Sequence, residues 1–267
     1  SNTGTGTGTL TLGSSALNQV TAASLALGSL GASASSANIT QGTLNMAGGS
    51  FAVANDVSLA NHTATGGQAR GTLNLTGGAF SIGGNITKSA KPESTAVVIV
   101  NGAALDMTGG TIAASQLAWR GGSISNLVSV NLDAHSATTG TGNTGDALIF
   151  GDVNLGFAIT LSGATGGNVH YEAGTSAAGA TISGDLALGA VARTFNIENN
   201  ANAAIDTDVT GLISGTGGPT KTGAGTLRLS NANTHSGATT VSAGLLILNH
   251  ALALQNSTAT LNTAGGL

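Results

Sequence analysis

Along most of this chain apolar residues alternate with small polar ones over short stretches. That is the two-residue period of a half-buried β-strand, not the 3.6-residue period of a helix. The alternation appears at Leu10 and Leu12, Leu25 and Leu27, Leu44 and Met46, Phe51 and Val53, Val57 and Leu59, Leu73 and Leu75, and Phe80 and Ile82. It resumes at Val128, Val130 and Leu132, and at Phe157, Ile159 and Leu161. Leu186 and Leu188, Phe195 and Ile197, Leu227 and Leu229, and Leu246 and Leu248 continue it. Gly, Asn, Ser and Thr fill the gaps, and these are turn residues. The best helical candidate, the alanine-rich stretch 21–34, fails, because Leu25 and Leu27 alternate while Gly28 and Gly31 interrupt it.

One phrase recurs. Residues 43–51 read TLNMAGGSF, 71–80 read GTLNLTGGAF and 104–112 read ALDMTGGTI, at offsets of 29 and 32 residues. A period of 20 to 50 residues signals a solenoid, a propeller or an array. Propeller blades carry more aromatic residues than the 3% found here, so a β-solenoid fits better. Each coil would hold two or three short strands with Gly or Asn at the corners. Leu44, Leu73 and Leu105 would form one internal ladder, Met46, Leu75 and Met107 the next, and Phe51, Phe80 and Ile112 a third. Asn45, Asn74 and Asp106 would face solvent and stack. The pairs Gly48 and Gly49, Gly77 and Gly78, and Gly109 and Gly110 would mark one repeated corner. Coils would stack about 4.8 Å apart.

Composition agrees. Charged residues make up 7% of the chain, against about 25% in ordinary soluble domains. Stacked identical positions would set like charges side by side, whereas Thr, Ser and Asn tolerate that spacing. With a mean hydropathy of +0.26, the chain is no solvated disordered segment. The net charge is −4, and the seven basic residues are scattered without interleaved aromatics, which argues against nucleic-acid binding. Cysteine is absent, which excludes disulfides and thiolate metal sites. No apolar run reaches the roughly 18 residues of a membrane span, and the start SNTGTGTGTL is no signal peptide.

Candidate chemistry is sparse. Asp206 and Asp208, two residues apart, would share one strand face near enough to share a cation, or else form a solvent-facing pair flanking Thr207. Asp146 and Asp152 flank a strand over 147–151 and read as corner residues. Asp133, His135 and Ser136 are adjacent in sequence, but a catalytic triad needs a spatial order that adjacency does not supply. His62, His170, His235 and His250 are isolated and lack metal-ligand spacing. The many Gly-Gly pairs are never followed by the calcium-binding nonapeptide pattern of β-rolls. GTGTG at 4–8 and GTGNTG at 140–145 read as turns, not phosphate loops. Trp119 is expected in the core beside Leu117, with Arg120 on the opposite face. Sequons at Asn38, Asn61, Asn85 and Asn256 are not expected to carry N-glycans. No catalytic, cofactor-binding or metal-binding residue is assigned, and no cofactor is expected.

Residues 211–248 read GLISGTGGPTKTGAGTLRLSNANTHSGATTVSAGLLIL. The features Ile213, Ser214 and Gly215, Gly217 and Gly218, Lys221, Gly223, Ala224, Gly225, Thr226 and Leu227, Leu229 and Ser230, Asn233 and Thr234, Gly237, Thr239, Thr240 and Val241, and Ala243 and Gly244 closely resemble the autotransporter passenger-associated repeat. That is a β-strand repeat of large bacterial surface proteins. Pro219 stands where leucine is usual, His235 where an aromatic is common, Ala238 where glycine is frequent and Leu245 where threonine is usual. Pro219 cannot donate a ladder hydrogen bond. The resemblance implies a right-handed parallel β-helix exported across an outer membrane, whose repeat assists folding and transport. The family's usual C-terminal barrel anchor is not seen before the chain stops at LNTAGGL.

The sequence therefore reads as a single β-solenoid over 1–267, on the outer surface of a bacterium or outside the cell. Its expected role is structural or adhesive, not enzymatic. Neither end shows a capping segment, so copies are expected to self-associate end to end into a filament or sheath. A host or matrix glycan is the other expected partner. The rival is a polysaccharide-active β-helix enzyme, a lyase or hydrolase, which needs at least two carboxylates and a cation converging on one lateral groove.

Overall fold

The computed structural model describes residues 5–16, 18–31, 38–91, 93–134, 145–164, 166–262 and 265–266. Among them every regular element is a β-strand, and none is a helix. The fold is a parallel β-solenoid, and the chain divides into two compact units. One holds the described residues up to Val130. The other holds Asn131–Ala134 and the described residues from Gly145 on.

In the first unit, Thr5–Leu12, Ile39–Val53, Gln68–Ile82, Ser94–Asp106 and Gln116–Ser125 lie side by side in one sheet. Every neighbouring pair is parallel. The short strands Leu25–Leu27, Val57–Leu59, Ile86–Lys88 and Thr111–Ala114 stack into a second sheet. The chain passes from one sheet to the other and back, which is how parallel neighbours are joined here. Inward residues alternate with outward ones and fill the core. Leu44 meets Leu73 and Met46 meets Leu75, all buried. Phe51 and Phe80 stack with ring centroids 5.2 Å apart. On the solvent side the Asn74 amide donates to the Asn45 Oδ1 at 2.9 Å.

Ile39–Val53 and Gln68–Ile82 each carry a glycine pair, and their register slips there. Gly49 and Gly78 have φ of 74° and 79°, values that glycine alone adopts freely. A Cβ on Gly78 would fall 2.5 Å from the Gly49 carbonyl oxygen, so the repeated corner also demands the absence of a side chain.

The third copy of the phrase does not continue these ladders. Val98 stands beside Leu73 and Val100 beside Leu75, while Leu105 stands beside Phe80. Met107 follows Leu105 rather than extending the Met46 and Leu75 ladder. Ile112 pairs with Ile86 in the second sheet, not with Phe80. Asp106 pairs with Ser81, not Asn74. A Cβ on Gly110 would meet the Gly84 carbonyl, so Gly109 and Gly110 turn a different corner from Gly48 and Gly49. The reason is packing: in Ser94–Asp106, Ala96, Val98 and Val100 are buried, and they supply a rung 25 residues on from Leu73. Val97 and Ile99 between them are also apolar, so the run lacks visible alternation.

The second unit has three parallel sheets. The first stacks Asp146–Phe150, Asn168–Tyr171, Arg193–Ile197, Pro219–Thr222, Thr239–Val241 and Ala259–Leu261. The second stacks Asn154–Leu155, Ala180–Ile182, Thr207–Val209, Thr226–Leu229, Gly244–Leu248 and Gly265–Gly266. The third includes Ala158–Leu161, Leu186–Ala187 and Ile213–Ser214. Phe150, Tyr171 and Phe195, then Leu155, Ile182 and Val209, then Ile159, Leu186 and Ile213 fill the column between them. Pro219 begins its strand, a position where the missing N–H does least harm.

Not every alternating residue reaches the core. Val128 precedes the strand Ser129–Leu132 and is 59% exposed, and Leu10 is 45% exposed on the outermost strand of its sheet.

The corrected register has a direct check in a chain without native cysteine. Paired Cα atoms on adjacent strands fall within disulfide range. Ser81→Cys with Asp106→Cys is expected to close an intramolecular disulfide under mild oxidation, seen by mass spectrometry after alkylation. Asn74→Cys with Asp106→Cys is expected to leave two free thiols. The opposite result would restore the phrase-based alignment.

Candidate functional site

The ionisable side chains of the second unit are held in two ways, by backbone groups at buried corners and by partners on neighbouring rungs. Asp206 and Asp208 exemplify the difference. They do not share a face. Asp206 precedes the strand Thr207–Val209 and is 1% exposed, so it is not a solvent-facing residue. Its Oδ1 accepts from the Asn200 N–H and its Oδ2 from the Thr226 N–H, both at 2.6 Å. Asp208 points outward, and its Oδ2 accepts from Arg228 at 2.7 Å. Asp208 and Arg228 are Cα partners on adjacent rungs. The Ser230 hydroxyl donates to the other oxygen of Asp208 at 2.7 Å.

Lys221 is also buried, at 1% exposure. Its ammonium donates to the carbonyls of Thr222, Gly223 and Ala243 at 2.6, 2.9 and 3.1 Å. Burial pulls its pKa down to about 8, and the charge of Asp206 opposes that shift. A Cβ on Gly244 would sit 2.7 Å from the Lys221 nitrogen, so the glycine of this corner makes room for the cation. Arg193, 1% exposed, follows the same plan. Its guanidinium donates to the carbonyls of Leu161, Gly163, Gly166 and Leu188.

A third arrangement lies on the outer side of the same unit. The His170 Nδ1 lies 3.1 Å from the Asp146 Oδ2, and its Nε2 lies 3.2 Å from the Glu198 Oε1. The other Glu198 oxygen accepts from the Ala173 N–H at 3.0 Å. That bond leads in holding the Glu198 carboxyl below its ordinary range, and His170 adds to it. Asp146 is thus the first residue of its strand rather than a corner, and His170 is not isolated. Asp152 does occupy a bend. It accepts from the Tyr171 hydroxyl at 2.5 Å and from the Ser176 N–H at 2.6 Å. Burial, then the bond to Asp152, raises the Tyr171 pKa to about 12.

The remaining candidates are structural in their surroundings. His235 is buried, and its Nε2 lies 3.0 Å from the Thr239 hydroxyl, which in turn meets Ser257 at 2.9 Å. The buried His62 lies 3.2 Å from the Gly66 carbonyl, and the His250 ring accepts from the Leu252 N–H. Trp119 is buried beside Leu117, as expected. Asn85 spends its side chain on Thr111 of the next rung. Asp133 is half-buried after the strand Ser129–Leu132. His135, Ser136 and most of the 140–145 glycine-rich stretch lie outside the described residues. Among the described residues no group of three His, Cys, Asp or Glu side chains could hold a metal ion.

Against this geometry, the passenger-associated-transport-repeat family model matches residues 220–248. The match begins beside Lys221 and runs through Leu227, Leu229, Val241 and Leu246, all buried core positions of two successive rungs. No curated protein and no solved structure matches the chain. The repeat suggests a passenger segment of an autotransporter, and with it exposure at a bacterial surface or outside the cell. Among the described residues no helix is long and apolar enough to cross a membrane.

The buried lysine within the repeat has a pH signature. The unfolded chain keeps the Lys221 proton up to its ordinary pKa of 10.5, whereas the folded chain releases it near 8. Between those values the unfolded state binds more protons, so this group makes stability rise with pH. Tyr171 acts in the opposite sense above pH 10, so the clean window is pH 7.5 to 9.5. The urea midpoint of the wild type is expected to gain on that of Lys221→Met across this window. Parallel curves would show that Lys221 titrates as an exposed lysine.

Proposed function

We propose that this chain is a structural segment of an autotransporter passenger: a stiff, protease-resistant stack of β-coils displayed outside a bacterial cell, with adhesion as its contact role and no catalytic chemistry of its own. The observation that carries this reading is the use made of the ionisable groups. Asp206, Lys221 and Arg193 are committed to backbone groups inside the stack. Asp208 and Arg228 neutralise each other between rungs. A lyase or hydrolase would instead turn such groups toward a substrate cleft.

The outward faces carry what a stackable surface needs. Asn45 and Asn74, Asn131 and Ser162, and Asn154 and Ser183 hydrogen-bond between rungs with little charge. A neutral, regularly spaced polar face of this kind suits a host or matrix glycan better than a nucleic acid.

End-to-end assembly has its own support. Leu261 pairs with the buried Val241 and so occupies an inward ladder position, yet it is 52% exposed on the outermost strand of its sheet. Leu10 likewise pairs with the buried Leu44 and is 45% exposed. These apolar edges fit a further rung, from the same polypeptide or from a second copy added head to tail.

Limited proteolysis and sedimentation velocity test the reading together. The expected outcome is resistance to protease under native conditions and a sedimentation coefficient that grows with concentration, with growth lost in Leu261→Asp. A single monomeric species at high concentration would overturn the assembly. Release of unsaturated or reducing ends from a polysaccharide panel would overturn the non-enzymatic role, and binding of a glycan without turnover would support adhesion.

A further inference from the structure

His235 is buried in the connection between Thr226–Leu229 and Thr239–Val241. The backbone of this connection is tied to the preceding coil. The Thr234 and His235 N–H groups donate to the Ile213 carbonyl, and the Ser236 N–H donates to that of Gly215. A Cβ on Gly218 would fall 2.1 Å from the Ala238 carbonyl oxygen, so the connection lies directly on its neighbour.

Three contacts lead away from the ring, and together they order its protons. The Ser257 hydroxyl lies 2.7 Å from the Gly237 carbonyl, which can only accept, so Ser257 donates there. Ser257 has no second proton, so in its 2.9 Å contact with Thr239 it accepts and Thr239 donates. Thr239 then has no proton left for the ring 3.0 Å away, so the His235 Nε2 carries the hydrogen. Nδ1 is therefore the lone-pair nitrogen. It is buried and has no hydrogen-bond partner among the described residues. A proton on Nδ1 would make a buried N–H with no acceptor and a charge without a counter-ion, and both are costly.

The charged groups of the surrounding elements are engaged elsewhere. Arg228 is paired with Asp208 on the outer face. The Lys221 ammonium sits on the carbonyls beyond the far end of Pro219–Thr222, and Arg193, one rung away, is bound to its own carbonyls. In the turn before Ala259–Leu261, the exposed His250 ring accepts from the Leu252 N–H. Ile213–Ser214 and Ala259–Leu261 carry no ionisable side chain.

We propose that His235 is an acid release for its coil: when neutral it ties the connection to Thr239 and, through it, to Ser257, and in acid Nδ1 takes a proton only by drawing the ring out of the stack. The sign follows from linkage. Burial pulls the His235 pKa below its ordinary value of 6.5, so below that value the unfolded chain binds more protons than the folded one. The contribution is full above the histidine range and is lost as the pH falls. It runs in the same direction as that of Lys221, in a lower window.

The test compares the urea unfolding of the wild type and His235→Gln at pH 7.5 and 5.5. Glutamine keeps a donor for Thr239 and does not titrate. Relative to the variant, the folded-to-unfolded ratio of the wild type is expected to fall about tenfold between the two, the effect of one pH unit below 6.5. An unchanged difference would overturn the proposal. Nitrogen NMR of the imidazole rings needs no variant and so covers the case in which His235→Gln does not fold. The folded wild type is expected to keep a protonated Nε2 and a bare Nδ1 at both pH values. A proton on Nδ1 at pH 7.5, or a folded His235 that titrates at its ordinary value, would overturn the proposal.

Discussion

Parallel, in-register stacking is the constraint on which everything else in this molecule depends. Each side chain meets its counterpart on the next rung about 4.8 Å away, so a residue type must suit its own copy as a neighbour. Leu44 on Leu73 and Phe51 on Phe80 suit each other in the core. Asn45 and Asn74 suit each other outside, because an amide is both donor and acceptor. Like charges do not, and Asp208 and Arg228, which stand in register on adjacent rungs, are opposite. A charged fraction of 7% is the compositional result.

Stacking satisfies the backbone along the strands but not at the corners, where the chain turns and its carbonyls leave the ladder. A buried carbonyl without a donor is costly. Lys221 and Arg193 meet that cost by giving their N–H groups to seven carbonyls between them, with no carboxylate in direct contact among the bonds they make. Asp206 does the converse for two corner N–H groups. Asn233 serves both kinds at once, accepting from the Ile213 N–H and donating to the Ala253 carbonyl. Buried ionisable residues in such a fold are therefore first to be read as backbone plugs, and only then as chemistry.

The fold class was legible because alternation and turn residues are local signals. The Leu44, Leu73 and Met46, Leu75 ladders could be aligned by eye. The third rung could not, since ALDMTGGTI copies the phrase while STAVVIVNG, which lacks polar punctuation, supplies the pairing. Word similarity and stacking register part company whenever a coil changes length. The ionic contacts were hidden for a related reason. His170 lies 24 residues from Asp146 and 28 from Glu198, so nothing within a local window joins them. Only after the rung length is known does a separation near that length become a signal. Asp206 was misplaced because strand periodicity was carried one residue past the start of Thr207–Val209, into a corner where it does not hold.

Chemistry requires unlike groups to converge, and a regular ladder brings like groups together. Departures from the ladder should therefore gather where a coil carries extra residues, and in the second unit they do. The segment between Tyr171 and Ala180 and the segment between Ile197 and Thr207 are the longer connections beside Asp152. They supply the Ser176 N–H and carbonyl, the Asn200 amide and the Glu198 carboxylate that complete the polar contacts around Asp152, Tyr171 and His170. A cation plugged into carbonyls, as Lys221 is, is strained by its own charge, so that corner gains stability as its proton leaves.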